Sequence, residues 1–182
     1  HLAPHCLPPI EAKIALVTEN VLFAHWEFGD AAALASQLAG PWRLQRGARL
    51  RKALAVTRRK ADSDESADDV VFIADGALTV TRGGGRGADG ADDGEILRRL
   101  DVGVLRGGDI FGVVDVLNGA RWARIARRDA RATSAAPLVC YTLPAAAFAR
   151  ALATCALASS MANICARHRT TWETARLECA SG

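Results

Sequence analysis

Gly108-Asp109-Ile110-Phe111-Gly112, with Arg128-Asp129-Ala130 beginning sixteen residues beyond Gly112, is the stretch on which the reading of the fold turns. Glycine at both ends of a Gly-Asp-apolar-Phe-Gly segment permits a tight turn, because it tolerates backbone angles and close approaches that other residues resist. Such a turn leaves backbone N–H groups free to face an anion. An arginine returning on a later strand can close on the same anion with a planar, permanently charged fork.

Ahead of the turn, Ile96 to Leu100 reads as a strand that continues through Val104-Leu105 into Gly107. Further back, Val70 to Val80 holds two β-rich runs around Asp75-Gly76, and an Asp-Gly between such runs predicts a hairpin. Ala53 to Val56 and Trp42-Arg43-Leu44 are expected to be strands, with a turn at Arg46-Gly47. Behind the turn, Leu138 to Leu143 predicts a last strand, Pro144 opens a helix from Ala145, and a second helical stretch runs to about Leu177. The N-terminal part reads as an irregular lead-in over residues 1–9 and a short helix from Glu11 to Asn20. A further helix is expected over Ala31 to Leu38, with Asp30 as its N-cap and Gly40-Pro41 as its end. Lys60 to Asp69 and Gly83 to Gly94 are rich in acids, serine, alanine and glycine and are expected to be solvated connectors.

The turn, the returning arginine, the apolar–Gly–apolar run around Gly76, the Leu22-Phe23 pair and the trailing helices resemble the cyclic-nucleotide-binding domain family, in the family's order, from about Leu22 to Arg167. The resemblance implies a mainly β fold, an antiparallel jelly-roll barrel of about eight strands flanked by N- and C-terminal helices. It also implies a ligand pocket formed by Phe111, Gly112, Val113, Asp115, Arg128, Asp129 and Ala130, with Arg128 as the phosphate partner. Val113 stands where the family has a glutamate for the ribose, Asp115 where it has alanine, and Asp129 where it has threonine or serine. A valine accepts no hydrogen bond, and either aspartate can repel an anion or pair with Arg128 instead. The expected ligand is therefore cAMP or cGMP in kind, bound weakly or not at all.

Composition bounds the remaining classes. The 182 residues carry 23 Lys+Arg against 20 Asp+Glu, a mild +3, with the arginines of 121–131 interleaved with alanines, so nucleic-acid binding is not expected. Five cysteines lie far apart without a Cys-x-x-Cys pair, which fits reduced thiols and a cytoplasmic setting. No secretory signal or membrane span is read; Ala151 to Ala166 is too short and too polar for one. The start at His1 and the end at Gly182 suit a piece of a longer protein.

Other constellations have plainer readings. Gly83 to Gly87 lacks the Gly-Lys-Ser/Thr ending of a phosphate loop, and the paired acids of 62–69 and 92–93 sit among loop residues. His1, His5 and Cys6 read as incidental, so no metal site or cofactor is expected. No histidine is spaced with a serine or cysteine as a nucleophile and base, so no enzyme is expected. Phe148, Leu152, Cys155, Leu157, Met161, Ile164 and Cys165 fall three or four apart and predict one apolar stripe packed on the β body. Trp172 lies beyond it and suits packing on a partner or neighbouring domain.

The organisation expected is a lead-in and helix over 1–20, the β body over 21–144 and C-terminal helices over 145–182. The role expected is a regulatory module of a larger signalling protein. One alternative is a ligand-free scaffold acting through the C-terminal helices in an assembly. Another is the sensor domain of a transcription regulator cut short before its helix-turn-helix.

Overall fold

The computed structural model describes residues 9–50, 52–54, 69–83, 99–117, 128–155, 159–160 and 162–171. Helices α1 (Pro9–Thr18) and α2 (Phe28–Ser36) precede seven strands: β1 (Ala39–Leu44), β2 (Val70–Asp75), β3 (Ala77–Gly83), β4 (Arg99–Arg106), β5 (Ile110–Phe111), β6 (Arg128–Ala132) and β7 (Leu138–Leu143). Helix α3 (Ala145–Thr154) and a helix over residues 162–171, here α4, follow.

The strands form two antiparallel sheets, β1-β7-β2-β5 and β4-β3-β6. They are stacked rather than closed, so the expected barrel is a sandwich, and seven strands rather than about eight lie among the described residues. One core lies between the sheets, with Val71, Ile73, Leu78, Val80, Phe111, Leu138 and Cys140 in contact. A second lies between the first sheet and the helices, where Val70, Phe72 and Leu143 meet Val17, Leu34 and Phe148. Successive residues of a strand face opposite sides. That is why Val70 to Ile73 is apolar without a break: β2 is covered on both faces.

The Asp75-Gly76 signal produces no hairpin. β2 pairs with β7 and β5, whereas β3 pairs with β4 and β6. Gly76, at φ +92°, carries the chain around the corner from one sheet to the other. A Cβ there would stand 2.8 Å from the Ser134 hydroxyl and 3.1 Å from the Leu138 Cα. Other expectations shift locally. Residues 52–54 are helical, with the Ala53 N–H donating to the Arg49 carbonyl, so no strand begins at Ala53. α2 starts at Phe28, which puts Asp30 inside its first turn, and Gly40-Pro41, joined by a cis peptide, belongs to β1. Leu138–Leu143 and the helix from Ala145 stand where the sequence puts them. Apart from their end residues Asp69 and Gly83, the acidic and glycine-rich connectors lie outside the described residues, as do Leu157, Met161, Trp172, His1, His5 and Cys6.

The expected apolar stripe divides at Cys155, whose backbone is extended (φ −129°, ψ 105°) and ends α3. Phe148 and Leu152 before the break are buried. After it, among the described residues, the buried positions are Ala162 and Ala166, while Ile164 is 66% exposed and Cys165 is exposed. Small side chains let α4 lie close to the body, and its larger apolar residues turn elsewhere.

Candidate functional site

The turn that opened the reading is fixed from three sides. After β4, the Arg106 N–H donates to Asp109 Oδ2 at 2.8 Å, and the Asp109 N–H donates back to the Arg106 carbonyl at 2.9 Å. Gly108, at φ +90°, donates its N–H to the Ile73 carbonyl at 2.8 Å, and the Ile73 N–H donates to the Asp109 carbonyl at 3.0 Å. β5 then pairs with β2, Phe111 opposite Val71 and Ile110 opposite Phe72. Gly112 sits at φ +96°, where a Cβ would lie 3.1 Å from the Asp69 carbonyl oxygen. Only a glycine lets the backbone lie that close to β2 in this conformation. A helical turn over 113–117 follows, closed by the Val116 N–H on the Gly112 carbonyl at 3.0 Å.

The third side comes from Asn20, which the sequence reading did not single out. Its Nδ2 donates to the Gly108 carbonyl at 2.6 Å, and its Oδ1 accepts the Leu22 N–H at 3.0 Å. Asn20 is 7% exposed, so both bonds form largely out of water. Two residues past α1 it looks like an ordinary helix-end residue; its partner is 88 positions away, and no local signal announces it. Three residues on, Phe23 packs against Phe72 and Phe148, ring centroids 6.2 and 6.1 Å apart. The segment after α1 therefore touches the turn, β2 and α3 together.

Beside the turn lies a cavity of about 740 Å³. That volume suits a small organic ligand. One wall is the turn and its helical continuation, another is Val80 of β3 with Val104 and Leu105 of β4, and α4 contributes Ile164, Cys165, His168 and Arg169. Val104 and Ile164 are 54% and 66% exposed because they face this space instead of a core. The surface is mostly apolar, with acids (Asp109, Asp115) on the turn side and basic side chains on α4.

Phe111, Gly112, Val113 and Asp115 of the expected pocket all line the cavity, with Val113 and Asp115 buried at 8% and 9% exposure. Ala130 is at 1% exposure in the core between the sheets, opposite Val80. Arg128 and Asp129 lie on β6 opposite Arg82 and Thr81 of β3. Burial pushes the Cys140 thiol up to about 12 and raises the Tyr141 hydroxyl, but neither lines the cavity. Among the described residues no group of three or more His, Cys, Asp or Glu is placed to hold a metal ion. No helix among them is long and apolar enough to cross a membrane.

No protein-family model matches the chain, and no curated protein matches it. Solved structures do. The regulatory subunit of a cAMP-independent protein kinase A from Trypanosoma brucei superposes with a TM-score of 0.63 at 16% identity, over 93% of this chain and 52% of that one. Its Trypanosoma cruzi counterpart bound to guanosine gives 0.61 at 15% identity, over 94% and 51%. The regulatory domain of Toxoplasma gondii protein kinase A with cAMP gives 0.61 at 13%, over 87% and 50%. The chain has the fold of the cyclic-nucleotide-binding domain. It spans about half the length of these structures.

Proposed function

We propose that the chain is a regulatory ligand-binding domain of a larger signalling protein, with a pocket altered so that cAMP and cGMP bind weakly or not at all. One observation carries this reading: the turn and α4 both line one cavity, so an occupant can touch both. A ligand that contacts α4 in one position and not in another shifts the balance between the positions by its differential affinity. The alteration is carried by Val113, which offers the sugar no acceptor, and by Asp115, which brings a carboxylate to the side meant for an anion. Proteins of this fold hold cAMP in Toxoplasma gondii and guanosine in Trypanosoma cruzi, which supports a purine ligand class here. The β body over 21–144 then carries the pocket, and the helices of 145–182 carry the output to a protein partner or neighbouring domain. The role is non-catalytic and the setting cytoplasmic.

The second reading is a scaffold that keeps the fold without a ligand, favoured by the same two residues. Calorimetric titration with cAMP and cGMP separates these readings from an ordinary cyclic-nucleotide sensor. The proposal expects no micromolar binding of either. Micromolar binding that disappears in Arg128→Ala overturns the altered-pocket reading.

A further inference from the structure

The lining of the cavity has Asp109 and Asp115 on the turn side and His168 and Arg169 on α4. Asp109 is exposed and its carboxylate closes the turn by accepting the Arg106 N–H. Asp115 is different. It lies at 9% exposure in the helical turn directly after Gly112, among Phe111, Val113 and Val114. A carboxylate there lowers affinity for an anion by either of two routes. It repels the anion directly where water screens little, or it engages a cation that would otherwise serve the anion.

We propose that Asp115 is the specificity-determining residue of this cavity. It rejects phosphate-bearing ligands and selects an uncharged ligand with a flat apolar ring and a hydroxylated end, the nucleoside class. The inference rests on reading the cavity as a ligand site. Val104 and Ile164, both exposed to the cavity, supply apolar surface for the ring. An ionised carboxylate only accepts hydrogen bonds, so it matches sugar hydroxyls, which donate. A cyclic phosphodiester is an anion with no proton to donate, and the same group excludes it.

The test is a calorimetric titration of the whole chain with adenosine, guanosine, cAMP and cGMP, repeated on Asp115→Asn and Asp115→Ala. Asp115→Asn removes the charge and keeps the shape; thermal melts confirm that each variant is folded. The expected result is that the nucleoside binds the unmodified chain at least about tenfold tighter than its cyclic phosphate, and that this ratio falls at least about tenfold in Asp115→Asn. A cyclic nucleotide that binds the unmodified chain as tightly as the nucleoside overturns the inference, as does a ratio unchanged in both folded variants. Silence with all four ligands overturns the reading of the cavity as a ligand site, a different failure.

Discussion

Asn20→Ala isolates the contact that the fold makes between its N-terminal segment and the turn. The substitution removes two hydrogen bonds, the 2.6 Å donation to the Gly108 carbonyl and the 3.0 Å acceptance from the Leu22 N–H. Both partners lose a polar contact in surroundings where Asn20 itself is 7% exposed, and water does not readily replace it. Leaving a buried polar group unsatisfied costs about 1–3 kcal/mol. The Leu22 N–H is buried and the Gly108 carbonyl partly so, which places the sum at about 2–4 kcal/mol. For a chain of this size that is a fall in melting temperature of roughly 5–12 °C. Urea unfolding with a fitted slope gives the free energy directly, and an unchanged slope shows that the two end states are comparable. Asn20→Asp sharpens the test: the acceptor for Leu22 remains, but an oxygen now faces the Gly108 carbonyl. The loss should match or exceed that of alanine. A loss below about 1 kcal/mol for Asn20→Ala, or an Asn20→Asp variant as stable as the parent, refutes the assigned geometry.

Gly112→Ala should destabilise by about 1–3 kcal/mol in urea unfolding, because alanine must adopt a positive φ with its methyl 3.1 Å from the Asp69 oxygen. Phe148→Ala removes a fully buried ring that touches Phe23 and Phe72, and thermal or urea melts should show a loss of about 3–5 kcal/mol. Maleimide labelling of the native chain near neutral pH should modify exposed Cys165 far faster than buried Cys140; equal rates would contradict the burial. Cys140 also contributes to the alkaline limb of stability. Its thiol is pushed from 9.0 to about 12, so the unfolded chain releases the proton first. The contribution is present below about pH 9 and fades as pH rises toward 12, a slope that Cys140→Ser should reduce in urea melts between those values.

What the sequence made legible follows from how local each signal is. Leu138 to Leu143 is an unbroken apolar run ended by a proline, and strand and helix fall where it puts them. The glycines of the Gly108–Gly112 turn were readable for the same reason, since a positive φ leaves a mark on the residue itself. Asp75-Gly76 was misread because a turn signal records that the chain bends, not which sheet each arm joins. The continuous run of β2 held the missing information, for a strand apolar on both faces has neighbours on both sides. In α4 the pattern pointed to Ile164 and Cys165, yet alanines took the buried places, because close packing selects for size where periodicity sees only apolar character. Asn20 left no mark, since its partner lies on a segment far along the chain.

On the proposed function, one occupant of the cavity engages the turn and α4 together. Hydrogen exchange of the whole chain with and without saturating adenosine or guanosine tests it most directly. Exchange should slow in residues 108–117 and 162–171 on the same titration curve. Ligand binding that slows exchange elsewhere while leaving 162–171 unchanged would contradict it.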